Sequence, residues 1–341
     1  MERIKLLSII FIILLIGCTP AEDNLNKRIS YRDFGKQIEL SGEIVQFKDS
    51  VWAPVRIFCT DSVLIIEDKS QDKMIQIFHK DKLTKIAENI PHGIGPNESL
   101  DCWTIQFLGN NVLMFDFGMK KLSMYEKTEF YRGNNIPQKT FKPKNATGVR
   151  MTVDGKLFGE CLSDENSLIT LFDTLGEQNN NFRVDFPELN SCSDKENYIK
   201  KHLFEFRPYY SEKHKRIFLT YTYTDLFDIY DNDFNLISRV HGPECFDPLL
   251  IDKGDYLSAT QDSKTSSVFS CLTENYIWVL YNGNKHMPAY PDDILVFDYD
   301  GNPKNIYHLN VSAISFCVDE KARAIYITAE NPERCVMKFK Y

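Results

Sequence analysis

The chain has 341 residues, with 40 Lys and Arg against 48 Asp and Glu, and a net charge of −8. That acidic balance argues against nucleic acid as a partner, because phosphate binding needs a basic footprint. There is no GxSxG elbow, no phosphate-binding glycine loop and no HExxH or HxxxH spacing among the 7 histidines, so the usual marks of a serine hydrolase, a nucleotide site or a compact zinc site are missing and no cofactor is expected.

The first 17 residues read as a targeting segment. Arg3 and Lys5 give it a positive start, and Leu6 to Ile16 form an apolar run of 11 residues, too short to span a bilayer as a helix. The run ends in Leu15-Ile16-Gly17-Cys18, the pattern of a bacterial lipobox. Cleavage before Cys18 would leave a lipidated cysteine at the mature N-terminus, and several acyl chains hold a protein to a membrane firmly where one does not. Residues 18–37 are polar and read as a tether. Thr19 stands where an Asp would signal retention in the inner membrane, so outer-membrane sorting is expected, facing the periplasm or the cell surface.

From residue 38 onward one signature recurs six times: apolar-x-apolar-aromatic, then a polar turn. Its aromatics are Phe78, Tyr125, Phe172, Tyr230, Phe297 and Phe339, at intervals of 47, 47, 58, 67 and 42 residues. A period of this size, with strand-like runs between the marks, is the sign of a β-propeller. The prediction is an all-β, six-bladed propeller over 38–341, each blade four strands with the aromatic on the third.

The first blade is expected at 54–59, 63–67, 73–78 and 83–90. The second has 103–108, 112–117, 122–126 and a ragged piece near Phe130. The third has 148–153, 157–162, 168–172 and 182–186, with Asp154-Gly155 as a hairpin turn. The fourth has 203–210, 216–222, 226–230 and 236–240. The fifth has 267–272, 276–281, 294–298 and 306–309, preceded by a loop or small hairpin around 247–265. The sixth has only 313–318, 324–328 and 335–339. The alternating run 38–47 is expected to supply its missing outer strand and close the ring, leaving no open edge. Eight cysteines follow Cys18, scattered and without CxxC spacing, and are expected to be mostly free, buried thiols.

Gly93-Ile94-Gly95-Pro96-Asn97-Glu98 follows the first blade, with partial echoes in His241-Gly242-Pro243-Glu244 and Pro187-Glu188. Together with the lipobox and six blades, this run resembles the TolB-like six-bladed propeller lipoproteins of Gram-negative bacteria, where a Gly-x-Gly-Pro-x-Glu run commonly follows an outer strand. In propellers such connections ring one mouth of the channel. His92, Glu98, Glu188, His241 and Glu244 are therefore candidate ligand-binding residues, and the competing reading makes these runs structural turns whose Glu caps backbone N–H groups. Lys200, Lys201, Arg207, Lys213, Lys215 and Arg216 form the one basic concentration and read as a solvated hairpin edge. The 298–302 run, Asp-Tyr-Asp-Gly-Asn, reads as a hairpin turn, and 286–291 as an exposed recognition loop. The expected function is a binding or scaffold module for a protein, peptide or glycan. The alternative is a propeller hydrolase or lyase, lactonase-like or glycan-active, with its site at the channel mouth.

Overall fold

Why six separate sheets form is visible in the burial of their middle strands. Val63–Asp68, Leu157–Cys161, Ile277–Tyr281 and Ala324–Ala329 are buried at every position, because a neighbouring blade covers each face of the sheet. The computed structural model describes residues 25–254, 257–283, 291–330 and 333–341. In these the chain makes six antiparallel blades and one two-stranded ribbon. The six signature aromatics all lie on third strands and all are buried.

Blade 1 is Pro54–Cys59, Val63–Asp68, Lys73–His79 and Lys85–Pro91. Blade 2 is Thr104–Leu108, Asn111–Asp116, Lys121–Glu126 and Lys139–Phe141. The ragged piece near Phe130 is a short helix, Lys127–Tyr131, started by the Glu126 carboxylate accepting the Glu129 N–H at 2.7 Å. Phe130 turns inward onto Tyr125, so the residue is a core plug and the outer strand comes later. Blade 3 has only Ala146–Met151, Leu157–Cys161 and Thr170–Phe172. Its expected fourth strand, 182–186, forms no ladder. It is held by single bonds such as Leu168 N–H to the Val184 carbonyl at 2.8 Å.

Blade 4 is Phe206–Ser211, Arg216–Tyr221, Leu226–Asp231 and Leu236–His241, preceded by a helix, Asn197–Leu203, where a strand start was expected. Blade 5 is Ser267–Leu272, Ile277–Tyr281, Asp293–Phe297 and Pro303–Leu309, and the expected hairpin before it is the ribbon Ile251–Asp252 with Leu257–Ser258. Blade 6 is Ser315–Asp319, Ala324–Ala329 and Cys335–Lys340.

The N-terminal part is more than the one closing strand predicted. Asn26–Arg28 pairs in parallel with the outer strand of blade 4, and Lys36–Leu40 in parallel with that of blade 5. Only Glu43–Ile44 pairs with blade 6, opposite Lys338 and Met337, extended by Val45 N–H to the Val336 carbonyl at 2.8 Å. So the run 38–47 does close the ring, but its first residues belong to blade 5. The stretch from residue 25 to 37, expected to be tether, is docked. Ile29 and Phe34 are buried, and the Phe34 ring meets Phe297 edge-on at 5.6 Å. Each outer strand would otherwise present a bare edge, and this strap covers two and completes a third. At Gly42 the strap crosses Phe339 so closely that a Cβ would lie 2.5 Å from its ring.

The core is a set of interfaces between blades. Ile57, Leu64, Ile66 and Phe78 of blade 1 pack on Cys317, Tyr326 and Val336 of blade 6, sealing first to last. The eight described cysteines are all free thiols, four of them buried. Asp298 accepts the N–H groups of Asp300 and Asn302, with Gly301 at φ 81°, the hairpin turn expected there. The 286–290 part of the expected recognition loop lies outside the described residues, as do Cys18 and the lipobox.

Candidate functional site

The five candidate residues do not converge. Glu98 folds back on its own turn: its Oε2 accepts the Gly95 N–H at 2.8 Å. A Cβ on Gly93 would displace that carboxylate from its bond to the turn. His92 is exposed and its backbone bridges to Ser99. Glu244 accepts the Tyr31 hydroxyl at 2.7 Å, tying the strap to blade 4. The Gly242 turn is built on Asp225, whose Oδ2 accepts the N–H groups of Glu244 and Cys245, both at 2.8 Å, and the Tyr281 hydroxyl at 2.9 Å. Glu188 and His241 share a cavity wall. They line one cavity of about 250 Å³ with Arg28 and Asp225, beside blade 4.

The central channel is elsewhere. A cavity of about 280 Å³ is lined by residues of all six inner strands, among them Phe58, Gln106, Arg150, Tyr209, Phe269 and Phe316. At the end where the inner strands begin, a second cavity of about 260 Å³ shares Arg150, Tyr209 and Phe269 with it and adds Trp103, Glu160, Glu205 and Arg207. None of the five candidates lines either of these two cavities.

This end is rich in guanidinium groups. Arg56 and Arg207 both lie over the Trp103 ring, at 4.7 and 5.1 Å from its centroid, and Arg207 also faces the Phe269 ring at 5.3 Å. Arg150 lies over the Tyr209 ring at 5.5 Å. Contacts of this kind stabilise a cation most where water is excluded. Arg56 is paired with the buried Glu67 at 2.6 Å. Arg150 donates through Nη1 to the Thr104 hydroxyl and the Val149 carbonyl, and Arg207 through Nη1 to the Val268 carbonyl. Burial holds both guanidiniums below the ordinary arginine range, Arg150 at about 10 and therefore charged at neutral pH.

The basic concentration read as a solvated edge is thus partly internal. Arg207 faces the channel. Lys201 is buried and donates to the carbonyls of Ser167 and Leu168 at 2.7 and 2.6 Å. Composition alone cannot separate these from surface lysines. A usable signal was present: Arg56, Arg150 and Arg207 each stand on the first strand of a blade, bordered by apolar or proline residues, where an exposed edge has no reason to place them.

Glu160 crosses the same wall. It accepts the Thr147 hydroxyl and, at 2.8 Å, the Phe206 N–H. Burial, and then the neighbouring Glu205 carboxylate, push its carboxyl up to about 8. An acid whose folded pKa is raised stabilises the fold fully below its unfolded pKa, and that contribution is lost as pH rises through the folded value. Wild-type stability should therefore decline between the ordinary glutamate range, about 4.3, and pH 8. Glu160→Gln, neutral throughout, should flatten that decline in denaturant titrations at several pH values. An unchanged slope would refute a protonated Glu160.

The comparisons with known proteins agree with this architecture. The chain is similar in structure to a DUF4221 family member from Bacteroides vulgatus, at 12% identity and TM-score 0.53, over 89% of this chain and 99% of that one. It is similar also to a Bacteroides fragilis protein described as exported, at 14% identity and TM-score 0.57, over 92% and 98%. At such identities the likeness is one of fold. No curated protein matches. A family described as TolB-like 6-blade propeller-like matches residues 33–321, from the strap through the inner strand of blade 6. By that match and by its six blades, the chain belongs to the TolB-like 6-blade propeller family.

Proposed function

We propose that the protein is a lipid-anchored binding module of the cell envelope, carried on the outer membrane through Cys18, which takes a group of its protein, peptide or glycan partner into the channel end at Trp103. One observation carries this reading. The two cavities there share Arg150, Tyr209 and Phe269 in their walls, and Arg150, Arg207 and Tyr209 are fixed on inner strands rather than on loops. A site on such a frame binds without the entropy cost of ordering a loop. The lipobox and the likeness to an exported protein support the location.

Two measurements test it. Cys18→Ser should move the protein out of the membrane fraction and abolish labelling by an alkyne fatty acid, and persistent labelling would overturn the anchor. For the site, a photo-cross-linking residue at Phe117, partly exposed in the wall of the mouth, should capture an envelope component. The same residue at Ile86, exposed on the outer strand of blade 1, should not. Capture from Ile86 alone would remove the channel from consideration.

The second reading, a glycan-active or lactonase-like enzyme, is favoured by Glu160 and Glu205 sharing one cavity with one carboxyl held protonated, the kind of pair that acid–base chemistry uses. Turnover abolished in Glu160→Gln would identify it.

A further inference from the structure

The arginines that pack inside this fold, with Arg207 only half-buried, fall into two kinds. Arg56 and Arg239 are each held by a buried carboxylate, Glu67 at 2.6 Å and Asp228 at 2.7 Å. Arg150 and Arg207 have no carboxylate within 4.0 Å among the described residues. Among the described residues only Nη1 of each is hydrogen-bonded, and both side chains line the cavity at the channel mouth. They stand on adjacent blades, on inner strands whose neighbours fix their backbones. Glu205 acts on Arg207 electrostatically but makes no ion pair with it, so the two cations are incompletely neutralised, and an incoming anion recovers part of the cost of burying them.

We infer that the channel mouth is a carboxylate-binding site, with the guanidiniums of Arg150 and Arg207 as receptors and the rings of Trp103, Tyr209 and Phe269 as the wall that takes the rest of the ligand. This inference rests on the channel as the ligand site and adds the chemical class. A guanidinium is planar and offers two parallel N–H donors that match the two oxygens of a carboxylate. The aromatic rings already hold the guanidiniums in place, so little side-chain entropy remains to be lost on binding. The cavity of about 260 Å³ suits a small molecule or the tip of a chain. The overall charge of −8 opposes a polyanion at long range but hardly affects one carboxylate. Two acids share the wall. Glu160 has both oxygens occupied by Thr147 and Phe206, and Glu205 meets the Thr222 hydroxyl at 3.4 Å. Glu205 remains placed to accept a ligand hydroxyl.

The test uses the full chain in detergent and calorimetric titration with two acids and their neutral counterparts: benzoate against benzamide, and glucuronate against glucose. The expected result is that at least one acid binds tenfold or more tightly than its neutral counterpart. A preference for glucuronate points to a sugar acid, and for benzoate to an aromatic one. Arg150→Gln and Arg207→Gln should each weaken that acid at least tenfold, with Arg150→Lys intermediate because the fork is lost. The ligand-free melting temperature should stay level or rise in Arg150→Gln, which removes a buried charge that no carboxylate pairs. Equal binding of acids and neutral compounds, or no binding of either acid, overturns the carboxylate class. So does a melting temperature that falls in both Gln variants while affinity is unchanged, which would make the arginines structural. Cross-linking from Phe117 separates the two levels: capture there with no acid preference removes this inference alone, whereas no capture there removes the channel reading as well.

Discussion

Asp228→Ala is expected to lower the unfolding free energy by about 3–5 kcal/mol, read as a shift in denaturant midpoint at constant slope. Asp228 is fully buried on the third strand of blade 4. The Arg239 guanidinium grips it with two bonds, Nε to Oδ1 at 2.8 Å and Nη2 to Oδ2 at 2.7 Å. The hydroxyls of Tyr221 and Tyr230 also donate to Oδ2, at 2.6 and 3.0 Å. Removing the carboxylate leaves a buried cation and two hydroxyls without an acceptor, and each stranded group adds its own desolvation penalty. The double change Asp228→Leu with Arg239→Met should recover only part of the loss: it removes the stranded cation, but the buried hydroxyls of Tyr221 and Tyr230 still lack their acceptor. A single-variant loss below about 1 kcal/mol would show that water reaches the pair.

Phe34→Ala should act at the strap. Phe34 packs with Ile29, Phe297, Tyr299 and Ile306 in the cluster between blades 4 and 5. Emptying such a site costs about 3–5 kcal/mol when the whole structure bears it. The strap, however, is held to the rim by two short parallel ladders and one two-residue pairing. It can undock while the blades stay folded, so the measured global loss is capped by its own docking free energy. The sharper readout is hydrogen exchange: protection of the Lys36–Leu40 amides should collapse while that of Ile277–Tyr281, in the middle of blade 5, stays. Equal loss in both segments would mean that strap and blade unfold as one unit.

The parts of the fold that were legible in the sequence share a physical cause. The third-strand aromatics repeat because each fills the same interface between blades, so geometry forces their periodicity. The hairpin turns at Gly155 and Gly301 were legible because positive φ selects glycine. The misreadings share a cause as well. Phe130 is apolar whether it sits in an outer strand or in the helix Lys127–Tyr131, and only its partner Tyr125 decides. Phe182, Val184 and Phe186 alternate like a strand, but they pack on the cluster of blades 3 and 4 without forming a ladder. Residues 25–37 are mostly polar like a tether, and what docks them is backbone pairing together with the isolated anchors Ile29 and Phe34, too few to show a strand period. At the site, the Gly-Pro-Glu runs were recognisable as turns. The arginines of the channel were not recognisable as a set, because residues more than 50 positions apart meet only when the ring closes.

Ring closure also dictates an order of events. Gly42 N–H bonds to the Asn310 side chain across 268 positions, and Lys27 reaches the Asp300 carbonyl across 273. Contacts so distant carry the largest loop-closure entropy and form slowly. A chain synthesised from its N-terminus presents the strap long before blades 4, 5 and 6 exist to receive it. Until then residues 26–44 have no edge to cover, and the blades that follow show theirs to any other chain nearby. The first folded segment of the sequence is thus the last to find its place, and the interval between is when this protein is most exposed to aggregation.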